Sequence, residues 1–428
     1  MTTALHYQKQ RRLDEVPAYA MGVQCQLGDG LRVYVALAPT ELVLFFADDL
    51  ALHYDRAGRL TKVADKTQFW RRSLSGRVLH TRKLTGAEGG GLMREVVPAE
   101  ATILAAHRRV TAVWDALRDG TVKIESELSA LEQIRPVLER AAGFDLLVAQ
   151  REAEQFRAIY GRVAVLPPDQ YNALVLQATE GCRYAGCTFC ELYRDVPFRC
   201  KSPAEFRRHL ESVIEFHGES LRTRRSIFLG EANALTQPIW SLREIFKILH
   251  EHFELPVGPV GAGWWLGSKT RFDGVSSFMD AFTNTNRTAS DYAELRLAGL
   301  RRVYVGLESG DAGLLKLLKK PATVEAMLHC VRLLKEAGIH VGVIVLLGAG
   351  GAEFAEAHVR ETARVLNELP LTRADFIYFS PLHIDPGGRY DIPALSREQQ
   401  LQQEQDIRQT LRSDQPRHAH YELETFVY

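Results

Sequence analysis

Three of the six cysteines in this 428-residue chain fall within nine positions, in the segment Thr179-Glu180-Gly181-Cys182-Arg183-Tyr184-Ala185-Gly186-Cys187-Thr188-Phe189-Cys190. Thiolates spaced C-x4-C-x2-C on a glycine-containing loop can turn inward onto one soft metal centre, either zinc or an iron-sulfur cluster. A structural zinc needs a fourth ligand, for which Cys200 is the nearest candidate, so a site of Cys182, Cys187, Cys190 and Cys200 is one reading of the spacing. Six cysteines are too sparse for a disulfide scaffold and point instead to metal binding or catalysis in a reducing compartment. Two acids stand at the ends of apolar runs: Glu231 after Leu229-Gly230, and Glu308 within Gly306-Leu307-Glu308-Ser309-Gly310. Their carboxylates could accept hydrogen bonds from hydroxyl or ammonium groups.

The elements that must position these residues begin at Asn172. Apolar runs that read as strands, Leu174 to Ala178, Ser226 to Leu229, Val275 to Thr283, Val303 to Leu307, Val341 to Leu347 and Phe376 to Phe379, alternate there with amphipathic helical stretches. Near-continuous Val/Ile/Leu runs suit strands covered on both faces, and the helices between them suit parallel crossovers. Six such units without a dinucleotide-binding fingerprint predict an α/β fold, a partial (βα)6 TIM-like barrel with its chemistry at the carboxyl ends of the strands. Those ends carry the cysteine loop, Gly230 and Glu231, Asp280 and Thr283, Glu308, Gly348, and, after the sixth strand, Ser380, His383 and Asp385. His383 is the candidate catalytic acid or base. The insertion from Val257 to Gly274, with Trp264 and Trp265, is a candidate lid.

The cysteine segment resembles the radical S-adenosylmethionine (radical SAM) superfamily, whose members bind a [4Fe-4S] cluster through three cysteines, usually spaced C-x3-C-x2-C, with an aromatic residue before the last. Phe189 matches that aromatic; the first gap is one residue longer here. Leu229-Gly230-Glu231 is similar to the family's Gly-Gly-Glu element, which receives the amino group of SAM. Val305-Gly306-Leu307-Glu308-Ser309 is similar to the G-[VIL]-[EQ]-S element of relatives of the oxygen-independent coproporphyrinogen oxidases and the methylthiotransferases. Twelve residues on, Lys320 matches the basic position that pairs with the SAM carboxylate, with Lys319 beside it as an alternative. The resemblance, over roughly residues 170 to 385, implies a [4Fe-4S] cluster held by Cys182, Cys187 and Cys190. It also implies SAM handled by Phe189, Gly230, Glu231, Asp280, Thr283, Glu308, Lys320 and Gly348, and an electron donor such as flavodoxin or ferredoxin. In Leu347-Gly348-Ala349-Gly350-Gly351 the glycines would let backbone approach an adenine ring and leave amides free to bond it. The implied chemistry is reductive cleavage of SAM to a radical that abstracts hydrogen from an unidentified substrate. The alternative is a non-catalytic binding protein stabilised by zinc or an iron-sulfur cluster. Only Cys25 precedes the loop, no cysteine follows Cys330, and a cobalamin-binding D-x-H-x-x-G element is missing, which leaves a single-cluster, cobalamin-free member.

Residues 22 to 83 read as a small antiparallel β module. A helix entered at Pro98-Ala99-Glu100 and stopped at Gly120 follows, then helical periodicity from Leu128 to Tyr160. We therefore expect an N-terminal extension over residues 1–166, the barrel over 167–385, and a tail over 386–428. The tail reads as a helix, Glu398 to Leu411, followed by a closing edge strand drawn from Tyr421 to Tyr428. The N-terminal module is a second candidate lid. Composition is 46% hydrophobic and 25% charged, ordinary for a globular chain. Lys plus Arg (53) equals Asp plus Glu (53), so no global field recruits nucleic acid or an anionic membrane. Arg207-Arg208 and Arg222-Thr223-Arg224-Arg225 are the only evident basic clusters. The absence of an apolar run after the N-terminal charges argues against a signal peptide and predicts a cytoplasmic protein.

Overall fold

The computed structural model describes residues 21–85, 91–124, 128–255, 269–283, 286–385, 387–412, 416–423 and 426–428. The candidate lid at Trp264 and Trp265 lies outside them. The chain divides into two units, Met1–Arg162 with Ile214–Thr223 and Val427–Tyr428, and Val163–Val213 with Arg224–Phe426.

In the first unit, eight antiparallel strands from Met21–Gln26 to Leu92–Val97 follow one another in sequence order, and Lys123–Ile124 pairs with the first of them. Turn chemistry at each break makes this meander: Asp29 Oδ1 accepts from the Leu31 amide, and Asp55 Oδ1 from the Ala57 and Arg59 amides. One sheet face packs on helices Ala99–Arg118 and Leu131–Ala142, with Val23, Leu44 and Leu52 against Ile103, Val110 and Ile134 in one core. The β module expected over residues 22 to 83 thus extends to Val97, and the helix after it starts where Pro98 fixes the backbone.

The second unit is a seven-stranded parallel sheet whose strands run in sequence order: β1 (Leu174–Gln177), β2 (Ile227–Gly230), β3 (Val275–Met279), β4 (Leu300–Glu308), β5 (His340–Leu347), β6 (Phe376–Pro381) and β7 (Arg417–His420). Helices α1 (Pro203–His217), α2 (Ile239–His252), α3 (Ala289–Leu297), α4 (Ala312–Leu317), α5 (Val324–Glu336), α6 (Gly351–Glu368) and α7 (Arg397–Gln409) occupy the connections. All four residues of β1 and of β2 are buried, as strands covered on both faces must be. Among the described residues β1 and β7 do not pair, so the barrel stays partial. At the amino end Asp169 closes the interior. Its carboxylate accepts from the hydroxyls of Tyr304 (2.7 Å) and Tyr378 (2.6 Å), one from β4 and one from β6.

Two expectations are corrected. The closing strand is Arg417–His420, parallel to β6, rather than Tyr421 to Tyr428. Tyr421 is buried and its amide still bonds Phe379, but the chain then turns, with the Phe426 amide on the Leu423 carbonyl. The apolar content there reported burial rather than strand. The third strand ends at Met279 instead of Thr283, because Asp280 Oδ1 takes the amides of Phe282 (3.0 Å) and Thr283 (2.6 Å) and folds them into a turn.

Candidate functional site

The cysteine loop leaves β1 at the carboxyl end of the sheet and is tied down along its length. Gly181 has φ +69, and a Cβ there would stand 2.5 Å from the Val196 carbonyl oxygen, so only glycine fits. Its amide donates to Glu231 Oε2 (2.8 Å), while Glu231 Oε1 accepts from Gln177 Nε2 (2.9 Å). Farther along, the Tyr184 hydroxyl donates to the Lys319 carbonyl (2.7 Å) and the Thr188 amide to the Leu318 carbonyl (3.0 Å). Phe189 packs against a cluster that includes Leu314, Leu318, Leu346 and Tyr390. From the connection after β6, Arg389 donates through Nη1 to the Ala185 carbonyl (2.9 Å) and through Nη2 to the Cys190 carbonyl (2.8 Å), with Nε on Glu191 (3.3 Å). One guanidinium thus spans the two ends of the segment containing Cys187.

The second part of the site is built at the end of β4. Its pairing with β5 slips between Gly306 and Glu308, and Glu308 adopts φ +61, a left-handed conformation rare for a side chain with a Cβ. Such a bulge bends the strand and re-aims the side chain that follows. Here it brings Glu308 Oε1 to 2.8 Å from Lys320 Nζ, with each side chain about 10% exposed. Gly306 leaves the room. A Cβ there would be 2.2 Å from Glu308 Oε1 and 3.0 Å from Lys320 Nζ. Burial by itself would depress the lysine, but the charges of Glu308 and Cys187 outweigh it and hold the ammonium above its ordinary value. Lys320 and Lys319 are thereby told apart: the first supplies its charge to the site, the second a carbonyl to Tyr184.

Burial pushes the Cys187 thiol up to about 12, with Glu308 and the other two loop thiols adding to the rise and Lys320 opposing it. Cys190 is raised for the same first reason. The three thiols therefore act on one another and on the Glu308–Lys320 pair. Cys200 stands apart. It is exposed, lies opposite Thr179 in a short antiparallel ladder, and senses the charge of Arg183. Among the described residues no three His, Cys, Asp or Glu side chains converge on a single ion. Three thiols on one loop fit a [4Fe-4S] cluster, whose thiolate ligands are spread over separate irons.

The remaining expected residues fall around this centre in different roles. Asp280 accepts from Thr283 Oγ1 (2.5 Å) and from Asn233 Nδ2, and its charge reaches Lys320. Asn233, which follows Gly230 and Glu231 in the same turn, is 2% exposed, and its Oδ1 has no hydrogen-bond partner. Its only signal in sequence was a polar residue between two alanines, two positions after Glu231. Two of the amides expected to be free in the glycine cluster are not: Gly348 donates to Gln403 Oε1 and Gly350 to the Tyr390 hydroxyl, both at 2.8 Å. The reason is tertiary, since both partners come from the C-terminal tail. His383 lies on the connection after β6 with Nε2 3.2 Å from Asp385 Oδ1. Arg207 pairs with Glu251, so that basic cluster is partly neutralised on the surface.

Behind Glu308, the bulge is held by a buried histidine. His358 of α6 is fully buried, with Nδ1 2.8 Å from Ser309 Oγ, and Thr362 Oγ1 accepts from the Gly310 amide (2.9 Å). Burial holds His358 down to about 4. Below its ordinary value of about 6.5 the unfolded chain takes up a proton that the folded chain refuses, so stability is full above that pH and falls as pH drops towards 4. The expected loss is about 3 kcal/mol over that window. Urea unfolding at a series of pH values should show this slope in the native protein and lack it in His358→Gln; an unchanged slope would assign the acid sensitivity elsewhere.

The radical SAM superfamily profile matches residues 176–366. No curated protein matches the sequence. Solved structures similar to the chain include a radical S-adenosylmethionine methyltransferase, TsrM, from Kitasatospora setae with cobalamin and a [4Fe-4S] cluster bound (19% identity, 52% of this chain and 40% of that one, TM-score 0.35). Others are coproporphyrinogen III oxidase (HemN) from Escherichia coli (15%, 55% and 50%, TM-score 0.39) and SuiB from Streptococcus suis (13%, 83% and 71%, TM-score 0.38). The chain thus spans about half or less of the first two relatives. The profile takes in the cysteine loop, Glu231, Glu308 and Lys320, so the second unit carries a match to the radical SAM superfamily over residues 176–366, somewhat under half of the chain.

Proposed function

We propose that the chain is a radical SAM enzyme in which Cys182, Cys187 and Cys190 hold a [4Fe-4S] cluster. The observation that carries this reading is the anchoring of the three-cysteine loop, through Tyr184 and Thr188, to the carbonyls of Lys319 and Leu318 beside the buried Glu308–Lys320 pair, with Cys200 exposed in its own short ladder. When bound, the cluster with SAM supplies one-electron reductive cleavage of the sulfonium, the source of a radical able to abstract hydrogen from the substrate. Everything else is work for the chain's own residues. The anchors on Gly181, Tyr184, Thr188, Ala185 and Cys190 fix where the three sulfurs point, so the loop loses little further freedom on loading. Lys320 presents a charge for a carboxylate, while Glu308 and Asp280 present acceptors for hydroxyl or ammonium groups of SAM. Glu231 is committed to Gln177 and the Gly181 amide, so its first duty is to shape the loop. Phe189 and the leucines around it exclude water from the thiol side. On this reading the reductant is a flavodoxin or ferredoxin, the protein is cytoplasmic, and His383 with Asp385 stands ready for substrate protons.

The test is anaerobic reconstitution with iron and sulfide, then SAM and dithionite, with chromatography for 5′-deoxyadenosine. Its formation supports the reading. Stoichiometric zinc uptake with no nucleoside formed would replace it with the metal-stabilised binding protein.

A further inference from the structure

We infer that Arg287 is a binding site for an oxyanion, a carboxylate or phosphate group, carried by the substrate. The residue lies in the connection between β3 and α3, on the face where the parallel strands end. Its Nη2 donates to the carbonyl of Gln237 in the connection after β2. Gln237 is itself 1% exposed, and its Nε2 donates to the carbonyl of Ala178 (2.9 Å), the residue that follows β1. The guanidinium is thus fixed to the carboxyl-end framework rather than waving in solvent. Its carbon lies 6.0 Å from the centre of the Tyr292 ring.

Held there, the guanidinium is under-used. Nη1 is buried and has no hydrogen-bond partner. Among the described residues no carboxylate lies within ion-pair distance of Arg287. The nearest acid in sequence, Asp291, is spent as the cap of α3, its Oδ2 accepting from the Thr288 amide and hydroxyl at 2.9 Å each. Burial accordingly pulls the Arg287 guanidinium below its ordinary value, with Tyr292 and Asp291 opposing too weakly to reverse it. Buried cations are paired as a rule, because an unpaired one forfeits hydration without return. A planar fork with free donors matches two oxygens of a carboxylate or phosphate side by side.

This inference rests on the carboxyl-end face being the catalytic one, so its test is kept apart from SAM cleavage. Thermal unfolding of the full chain is followed, before and after iron-sulfur reconstitution, in tens of millimolar chloride, acetate or inorganic phosphate at matched ionic strength. The native protein should melt about 2–4 °C higher in acetate or phosphate than in chloride; acetate alone would indicate a carboxylate substrate, phosphate alone a phosphorylated one. Arg287→Gln should abolish the anion-dependent shift, whatever it does to the midpoint in chloride through the lost bond to Gln237, and Arg287→Lys should retain only part of it. An equal shift in Arg287→Gln, or no shift in the native protein, would overturn the inference and leave Arg287 only its structural tie to Gln237. The anion shift without 5′-deoxyadenosine would leave this site standing and remove the radical reading; the converse would do the reverse.

Discussion

Cys187→Ala protein, reconstituted with iron and sulfide, is expected to retain roughly tenfold less iron than the native chain, whereas Cys200→Ala retains all of it. Losing even a partner that only orients a metal ligand commonly costs 10–100-fold in affinity, and losing a ligand should cost no less. Cys182→Ala and Cys190→Ala should follow Cys187→Ala, because the three thiols act on one another while Cys200 is exposed in its short ladder. Iron and acid-labile sulfide per chain, with the visible absorption of the cluster, read the outcome without recourse to turnover. Equal iron loss in Cys200→Ala would sink the three-thiol assignment and favour four ligands.

The cysteine loop was legible because its information is local: three thiols, a left-handed glycine and an aromatic anchor all lie within ten residues. The strands were legible for a similar reason, since runs buried on both faces leave an unbroken apolar trace. What escaped was whatever depends on distant chain segments. Arg389 follows Cys190 by nearly two hundred residues, and nothing near it in sequence marks it as the clamp on two loop carbonyls. The glycines at 348 and 350 read as open backbone because their partners, Gln403 and Tyr390, belong to the tail. Glu231 illustrates a subtler gap. Its position was read correctly as the end of a strand, but the sequence could not say that its two oxygens would turn back on Gln177 and Gly181 rather than outward to a ligand. Glu308 and Lys320 lay between these cases. The family resemblance implied a shared site, yet the contact between them needed a bulge at Leu307 that no residue type demanded.

That contact yields the second large effect. Lys320→Met should destabilise the chain by about 3–5 kcal/mol, because it leaves Glu308, 8% exposed, as a carboxylate without its ion partner. Glu308→Gln should cost less than this, since an ammonium on a flexible stem can swing towards Asp280 or solvent. In the double variant Glu308→Gln, Lys320→Met the uncompensated charge disappears, and much of the loss should return. Urea unfolding of the four proteins gives the coupling energy directly. Affinity for SAM on the reconstituted enzyme should fall in all three variants, the double one included, because recovering stability does not restore the charge and the acceptor. A Lys320→Met loss under about 1 kcal/mol would mean that water reaches the pair and screens it. Gly306→Ala adds a geometric check. It removes no charge, but its methyl would stand 2.2 Å from Glu308 Oε1, so it must displace the carboxylate or open the bulge. If the pair matters for its geometry as well as its charge, Gly306→Ala should lose SAM affinity while keeping more stability than Lys320→Met.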